Sequence, residues 1–259
     1  MIVDLHNHTP LCNHASGKLD DYILEAIKSG TKYFGFSDHA PMDFDTKYRM
    51  NFEQMVEYEN EIQKLTDRYK NDIEILLGYE VDYLKNHIDK RVLESNVDYL
   101  IGSVHFINEW GFDNPEFIGE YDKQNIDEIW QKYFDTIKEM ADSKLFDIVG
   151  HLDLIKVFKF MPNKNICDIA YDSLVAIKNA DMVIEINVAG YRKPVKEQYP
   201  SIPLLKLAFD LDIPITFGSD AHEPKQVSLF SDDVIKLTKS VGYKECAIFR
   251  NRKREFIKF

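Results

Sequence analysis

The chain is poor in the features that mark secretion, membrane insertion and nucleic-acid contact. Its three cysteines, Cys12, Cys167 and Cys246, are scattered and odd in number, with no Cys-x-x-Cys spacing, which excludes a disulfide framework and a thiolate zinc site. Cys167 and Cys246 read as small interior hydrophobes. Cys12 stands close to the candidate site without a neighbour that marks it as reactive. No apolar run approaches the roughly 18 residues that cross a bilayer, and no basic segment precedes a hydrophobic one at the N-terminus. A soluble cytoplasmic protein with no membrane partner is expected. An excess of basic residues is also missing. With 32 Lys and Arg against 44 Asp and Glu, the formal net charge is -12, the wrong sign for extended contact with a phosphate backbone, so no nucleic-acid partner is expected. The one basic cluster, Arg250 to Arg254, lies between two apolar runs and reads as a closing hairpin with a solvated turn. Finally, no Gly, Ser or Pro-rich linker divides the 259 residues, and residues 1–259 are read as a single domain.

What is present is one pattern, repeated. Seven short runs of β-branched or aromatic residues each break suddenly into a polar cluster: Ile2 to His8, Tyr33 to His39, Ile73 to Asp82, Val97 to His105, Phe146 to Asp153, Met182 to Asn187 and Ile213 to His222. Their apolar residues run nearly continuously, as in strands buried on both faces. Between them lie amphipathic segments at helical spacing, such as Leu19 to Ser29, closed by Gly30, and Phe52 to Tyr69. Strand alternating with helix predicts an α/β fold with parallel strands. A polar tip after every strand favours a closed or nearly closed TIM-like barrel with its chemistry at the C-terminal rim, since an open sheet would bind only at its switch point.

The tips carry a shared chemistry. His6 and His8 are two apart, so on a strand they face a common point. His39, Glu80, His105, His151, Asp220 and His222 end the later runs, and His14 follows the first. Seven of the eight histidines therefore fall at the rim, with His87 the exception. Seven imidazoles and two carboxylates exceed the four ligands of one tetrahedral zinc and suit two or three divalent ions. Glu80 is the natural bridge, able to offer one oxygen to each of two ions. The all-nitrogen-and-oxygen donor set is compatible with zinc, manganese or iron.

Taken together, Asp4-Leu5-His6-Asn7-His8, Ser37-Asp38-His39, Glu80, His105, His151 and Gly218-Ser219-Asp220-Ala221-His222 resemble the PHP (polymerase and histidinol phosphatase) metallo-phosphoesterases over nearly the whole chain. The resemblance implies a distorted seven-stranded barrel with a trinuclear metal centre. In it, His6, His8, Glu80 and Asp220 would hold one ion, Glu80, His105 and His151 a second, and His14, His39 and His222 the third. Ser103-Val104-His105-Phe106-Ile107, Trp110 to Pro115 and Glu185 to Pro194 with Tyr199-Pro200-Ser201 are similar to the histidinol-phosphatase members, which remove phosphate from L-histidinol phosphate in histidine biosynthesis. Arg192 resembles their arginine on the substrate phosphate, and Lys156 sits where a basic residue follows His-Leu-Asp.

A phosphomonoesterase follows as the expectation: paired cations lower the pKa of a bridging water so that hydroxide exists at neutral pH and attacks phosphorus in line. Asp38 and Asp153, beside ligands, are expected to orient imidazoles or move a proton. Trp110, Phe112, Asp113 and Asp43 are the candidates for recognising an imidazolyl amino alcohol. The alternatives are a different phosphoester, whether nucleotide, phosphotyrosine or nucleic-acid phosphodiester, and a metal-binding barrel without turnover.

Overall fold

The computed structural model describes residues 1–259. Eleven strands are formed: β1 (Val3–Asp4), β2 (Tyr33–His39), β3 (Glu74–Asp82), β4 (Tyr99–Ser103), β5 (Phe106–Ile107), β6 (Trp110–Gly111), β7 (Ile148–Val149), β8 (Val183–Asn187), β9 (Ile215–Gly218), β10 (Glu245–Arg250) and β11 (Lys253–Lys258). The helices are α1 (Leu19–Lys28), α2 (Gln54–Tyr69), α3 (Lys90–Leu93), α4 (Ile126–Ser143), α5 (Ile166–Asn179), α6 (Ile202–Asp210) and α7 (Ser231–Val241). Each long helix forms where the apolar stripe predicts it. In α1 the buried residues are Tyr22, Ile23 and Ala26, spaced to share the face that packs on the sheet, and Gly30 at φ +80° leads the chain out.

Seven strands make one parallel sheet in the order β1-β2-β3-β4-β7-β8-β9. Its two edges meet. Leu5 N donates to Phe217 O at 2.9 Å, His8 N donates to Ala221 O at 2.9 Å, and Asn7 forms a parallel bridge with Ala221. The sheet is thereby nearly closed into a barrel, as expected. Along the face shared by Leu76 and Glu80, by Tyr99, Ile101 and Ser103, and by Val183 and Glu185, residues are apolar at the strand starts and polar at the strand ends. The apolar half forms a cluster of 19 buried residues that includes Cys246 to Phe249 of β10. A larger cluster of 48 buried residues lies between strands and helices.

The basic cluster near the C-terminus is a hairpin turn, with Asn251 and Lys253 exposed and its arginines half-buried in ion pairs. Asn251 and Arg252 take φ of 50° and 64°, as a two-residue hairpin turn requires, and the arginines reach the N-terminal ends of barrel strands. Arg250 forms a fork on Glu74 at 2.6 and 2.8 Å, Arg252 pairs with Asp147, and Arg254 contacts Asp181 at 2.8 Å. The hairpin straps the lower end of the barrel because those strand ends carry carboxylates. No helix is long and apolar enough to cross a membrane.

Candidate metal centre

Glu80, at the end of β3 and 1% exposed, stands at the middle of the donors. Its Oε2 lies 3.0 Å from His39 Nδ1, 3.4 Å from His6 Nε2 and 3.7 Å from His8 Nε2. Its Oε1 lies 2.9 Å from His151 Nε2 and 3.7 Å from His105 Nε2, and accepts from Ser103 Oγ at 2.7 Å. The carboxylate thus faces two sets of imidazoles at once. Asp220 Oδ1 is 3.2 Å from His8 Nε2, and His14 Nε2 is 2.9 Å from His222 Nε2. Donor atoms of His6, His8 and Glu80, of Glu80, His105 and His151, and of His14, His39 and His222 each fall within 4.8 Å of one another.

Carboxylates behind the imidazoles hold them in place. His6 Nδ1 is 2.7 Å from Glu185 Oε1, and Glu185 Oε2 accepts from His151 N at 2.8 Å. His105 Nδ1 is 2.5 Å from Asp82 Oδ1, whose other oxygen accepts from Arg49 Nη1 at 2.8 Å. Asp38 Oδ1 sits 3.3 Å from His8 Nδ1. Such contacts select the tautomer that leaves the other ring nitrogen free for an ion. Asp4 accepts from Ser219 N at 2.8 Å and ties down the loop that carries Asp220 and His222. Glycine is required at 218, where a Cβ would lie 1.9 Å from Glu185 Oε1 and 2.6 Å from His6 Cβ. His151 and Asp220 adopt positive φ, 24° and 50°, a strained conformation that the surrounding bonds impose.

The donor set fits divalent ions. His6 Nε2, His8 Nε2, His39 Nδ1 and His151 Nδ1 are buried without a hydrogen-bond partner, an arrangement that costs free energy unless another group meets them. In the ion-free protein, burial pulls the imidazoles toward neutrality. At His8 the hydrogen bonds to Asp220 and Asp38 outweigh it and push the pKa up to about 9. At His105, burial is outweighed by Asp82 and Glu80, giving about 10. His39 shows the reverse balance, with burial pulling it down to about 4 against Glu80. Burial also opposes the charge on Glu80, but His6, His39 and His105 hold it well below the usual carboxylate range. Cys12 lies beside His8 and His222, and burial followed by Asp38 pushes its thiol up, so it stays protonated.

Above the donors opens a cavity of about 570 Å³. Arg192 and Asp113 line it. Arg192 Nη2 donates to the Ser219 and Asp220 carbonyls at 2.9 and 2.8 Å, leaving Nη1 buried and unpartnered. Several expected residues lie elsewhere. Lys156 is buried with its ammonium taken by Glu197, the Gln198 carbonyl and Asp153 at 2.7, 2.8 and 3.1 Å, so it has no proton to offer a substrate phosphate. Asp153 accepts from Ser201 N at 2.8 Å instead of orienting an imidazole. Phe112 is fully buried against Tyr133, and Trp110 packs edge-on against Tyr121. Phe112 belongs to the core, and Trp110 is half-buried against it. Asp43 pairs with His87 at 2.7 Å, away from the cavity. Asp82, Glu185, Asp4 and Arg49 were not singled out in the sequence. Asp82 does end the third run and Glu185 stands two residues before the end of the sixth, the same signal that pointed to the candidate ligands.

A family model described as the PHP domain matches residues 4–189. The chain belongs to the PHP family. Among PHP relatives, a protein of Deinococcus radiodurans named as a probable histidinol-phosphatase is 36% identical over 259 residues, covering 98% of each chain. The histidinol-phosphatase of Bacillus subtilis is 29% identical over 256 residues, 86% of this chain and 94% of that one. The fold of this PHP chain is similar to the crystal structure of histidinol phosphate phosphatase from Lactococcus lactis, with a TM-score of 0.81, 24% identity and 98% of each chain covered. That structure is described as a complex with zinc, L-histidinol and phosphate.

Proposed function

We propose that this PHP protein is a histidinol-phosphatase, a single barrel domain over residues 1–259 that hydrolyses L-histidinol phosphate to L-histidinol and phosphate in the cytoplasm. The observation that carries the proposal is convergence. Nine nitrogen and oxygen donors from distant segments meet beneath one cavity whose wall holds an unpartnered guanidinium nitrogen and an unpaired carboxylate. The full-length relative in Deinococcus radiodurans bears a name that agrees with this reading.

Two or three divalent ions, zinc, manganese or iron, fit His6, His8, Glu80 and Asp220, then Glu80, His105 and His151, then His14, His39 and His222. Such ions activate bound water and offset charge on phosphoryl oxygens. The chain's own residues do the rest. Glu80 presents an oxygen to each side. Asp38, Asp82 and Glu185 hold imidazole rings so that their free nitrogens converge. Arg192, fixed by two carbonyls, aims Nη1 at the cavity, where a phosphate would find a charged donor. Asp113 has no partner of its own and faces His105, His151 and Lys193. Its carboxylate matches a substrate that carries an ammonium and an imidazole.

Phosphate release from L-histidinol phosphate, p-nitrophenyl phosphate and a dinucleotide, with metal analysis of the same sample, tests the proposal. Turnover confined to the dinucleotide would overturn it. Arg192→Ala is expected to lower kcat/KM for phosphomonoesters by roughly ten- to a hundredfold, the worth of a hydrogen bond to a charged group, mainly through KM. Metal content should not change, and loss of metal in that variant would refute the role. Asp113→Asn is expected to raise KM for L-histidinol phosphate by about tenfold or more, with KM for p-nitrophenyl phosphate unaffected. Equal effects on the two substrates would remove Asp113 from amine recognition.

A further inference from the structure

The chain carries one more hydrogen-bond donor in the cavity wall, and its position is heavily built. Tyr199 is 1% exposed, lines the cavity, and has an Oη that is buried without any hydrogen-bond partner. Once the imidazole nitrogens are assigned to ions, Tyr199 Oη and Arg192 Nη1 are the unpartnered buried polar atoms on this wall. A buried phenol without a partner costs free energy, so its retention asks for a group that arrives from the cavity.

The surroundings hold the ring still. Tyr199 exchanges two backbone hydrogen bonds with Asn187, the last residue of β8, at 2.7 and 2.9 Å. The preceding residues Glu197 and Gln198 are clamped by Lys156, whose ammonium also sits 5.2 Å from the centre of the Tyr199 ring. On the other side Ser201 N is held by Asp153. Gly190 lets this segment approach the turn that carries Arg192. A Cβ there would lie 1.9 Å from Glu197 O and 3.0 Å from Tyr199 Cε2. Lys156, Asp153 and Gly190 thus serve the placement of one phenol and one guanidinium on the same wall. His151, one of the donors around Glu80, lies edge-on to the ring at 6.4 Å between centroids.

We propose that Tyr199 Oη donates a hydrogen bond to a non-bridging oxygen of the phosphoryl group, acting as the second half of a clamp with Arg192 Nη1. This rests on the phosphomonoesterase reading and extends it. The phenol keeps its proton throughout. Giving it up would leave a phenolate buried out of water. Tyr199 therefore binds the phosphoryl group without supplying the proton of the leaving alkoxide.

The test uses ion-loaded Tyr199→Phe, which removes one oxygen that has no partner and leaves the packing of the ring. Three quantities are compared with wild type: metal content, affinity for inorganic phosphate by calorimetry, and kcat/KM for L-histidinol phosphate and for p-nitrophenyl phosphate. Phosphate affinity and both kcat/KM values should fall together by roughly ten- to a hundredfold, at unchanged metal content. A loss limited to the alkyl ester, whose leaving group needs a proton, would make Tyr199 an acid and overturn the clamp, and so would unchanged phosphate affinity. Wild type that turns over neither ester would overturn the phosphatase reading itself. Active wild type with an unaffected variant would overturn the role of Tyr199 alone.

Discussion

Glu80→Ala should lose at least about 10³-fold in kcat together with most of its bound metal, because ion-derived charge stabilisation is worth several kcal/mol and each 1.4 kcal/mol is tenfold. The geometry explains why this position outranks any single histidine. Glu80 offers one oxygen toward His6, His8 and His39 and the other toward His105 and His151, so its removal breaks two donor groups at once. It also removes the central negative charge shared by five imidazoles, which raises the cost of gathering cations there. Glu80→Gln is the sharper variant, since it keeps the shape and removes the charge. Elemental analysis and kcat on the same preparations check the prediction. Full metal content in Glu80→Gln with near wild-type turnover would sink the assignment of Glu80 as the bridge.

The second large effect is on pH. In the ion-free protein, burial at His8 and His105 is outweighed by their carboxylate partners, and their pKa values stand at about 9 and about 10 against 6.5 for a free imidazole. Loading ions must expel those protons and the one that His6 also holds well above the free imidazole range, where Glu185 and Glu80 outweigh burial, each worth a factor of about ten in affinity per pH unit. His8 and His105 belong to different proposed ion groups, so apparent affinity for an ion should then fall roughly 10²-fold per displaced proton from pH 8 to pH 6, measurable by competition with a chelator. Affinity that is flat over that range would contradict it. Stability of the ion-free protein should run the other way. A raised pKa means that the folded state holds the proton more tightly. The contribution is complete below 6.5 and is lost as pH rises through about 9 to about 10. Thermal midpoints of ion-free protein should therefore drop between pH 7 and pH 10, while ion-loaded protein gains over the lower part of that range.

Both effects depend on contacts of very different visibility in the chain. The parallel barrel was legible because buried strands leave continuous apolar runs and surface helices leave a stripe at 3.6-residue spacing, two signals that are local by nature. Strand extents were less so. The first and fifth runs, read over seven or eight residues, pair in the ladder only at Val3–Asp4 and Ile148–Val149. Beyond those pairs the chain leaves the ladder to turn His6, His8 and His151 toward the centre.

The proposed ligands were legible in the sequence alone, since a metal site needs particular side chains and these recur after six of the seven runs. Roles that depend on what a side chain touches could not be. Lys156 and Arg192 look alike as basic residues in loops past a rim strand. The fold saturates one ammonium with three acceptors and leaves one guanidinium nitrogen free. Trp110, Phe112 and Asp113 are neighbours in the chain, yet only the carboxylate reaches the cavity. The pairings of Asp82 with His105 and Glu185 with His6 span 23 and 179 residues. The pairing of β3 with β4 brings Asp82 to His105, and closure of the sheet at β9 brings Glu185 to His6, so tertiary structure alone decided which carboxylates hold the imidazoles and which tyrosine was left without a partner.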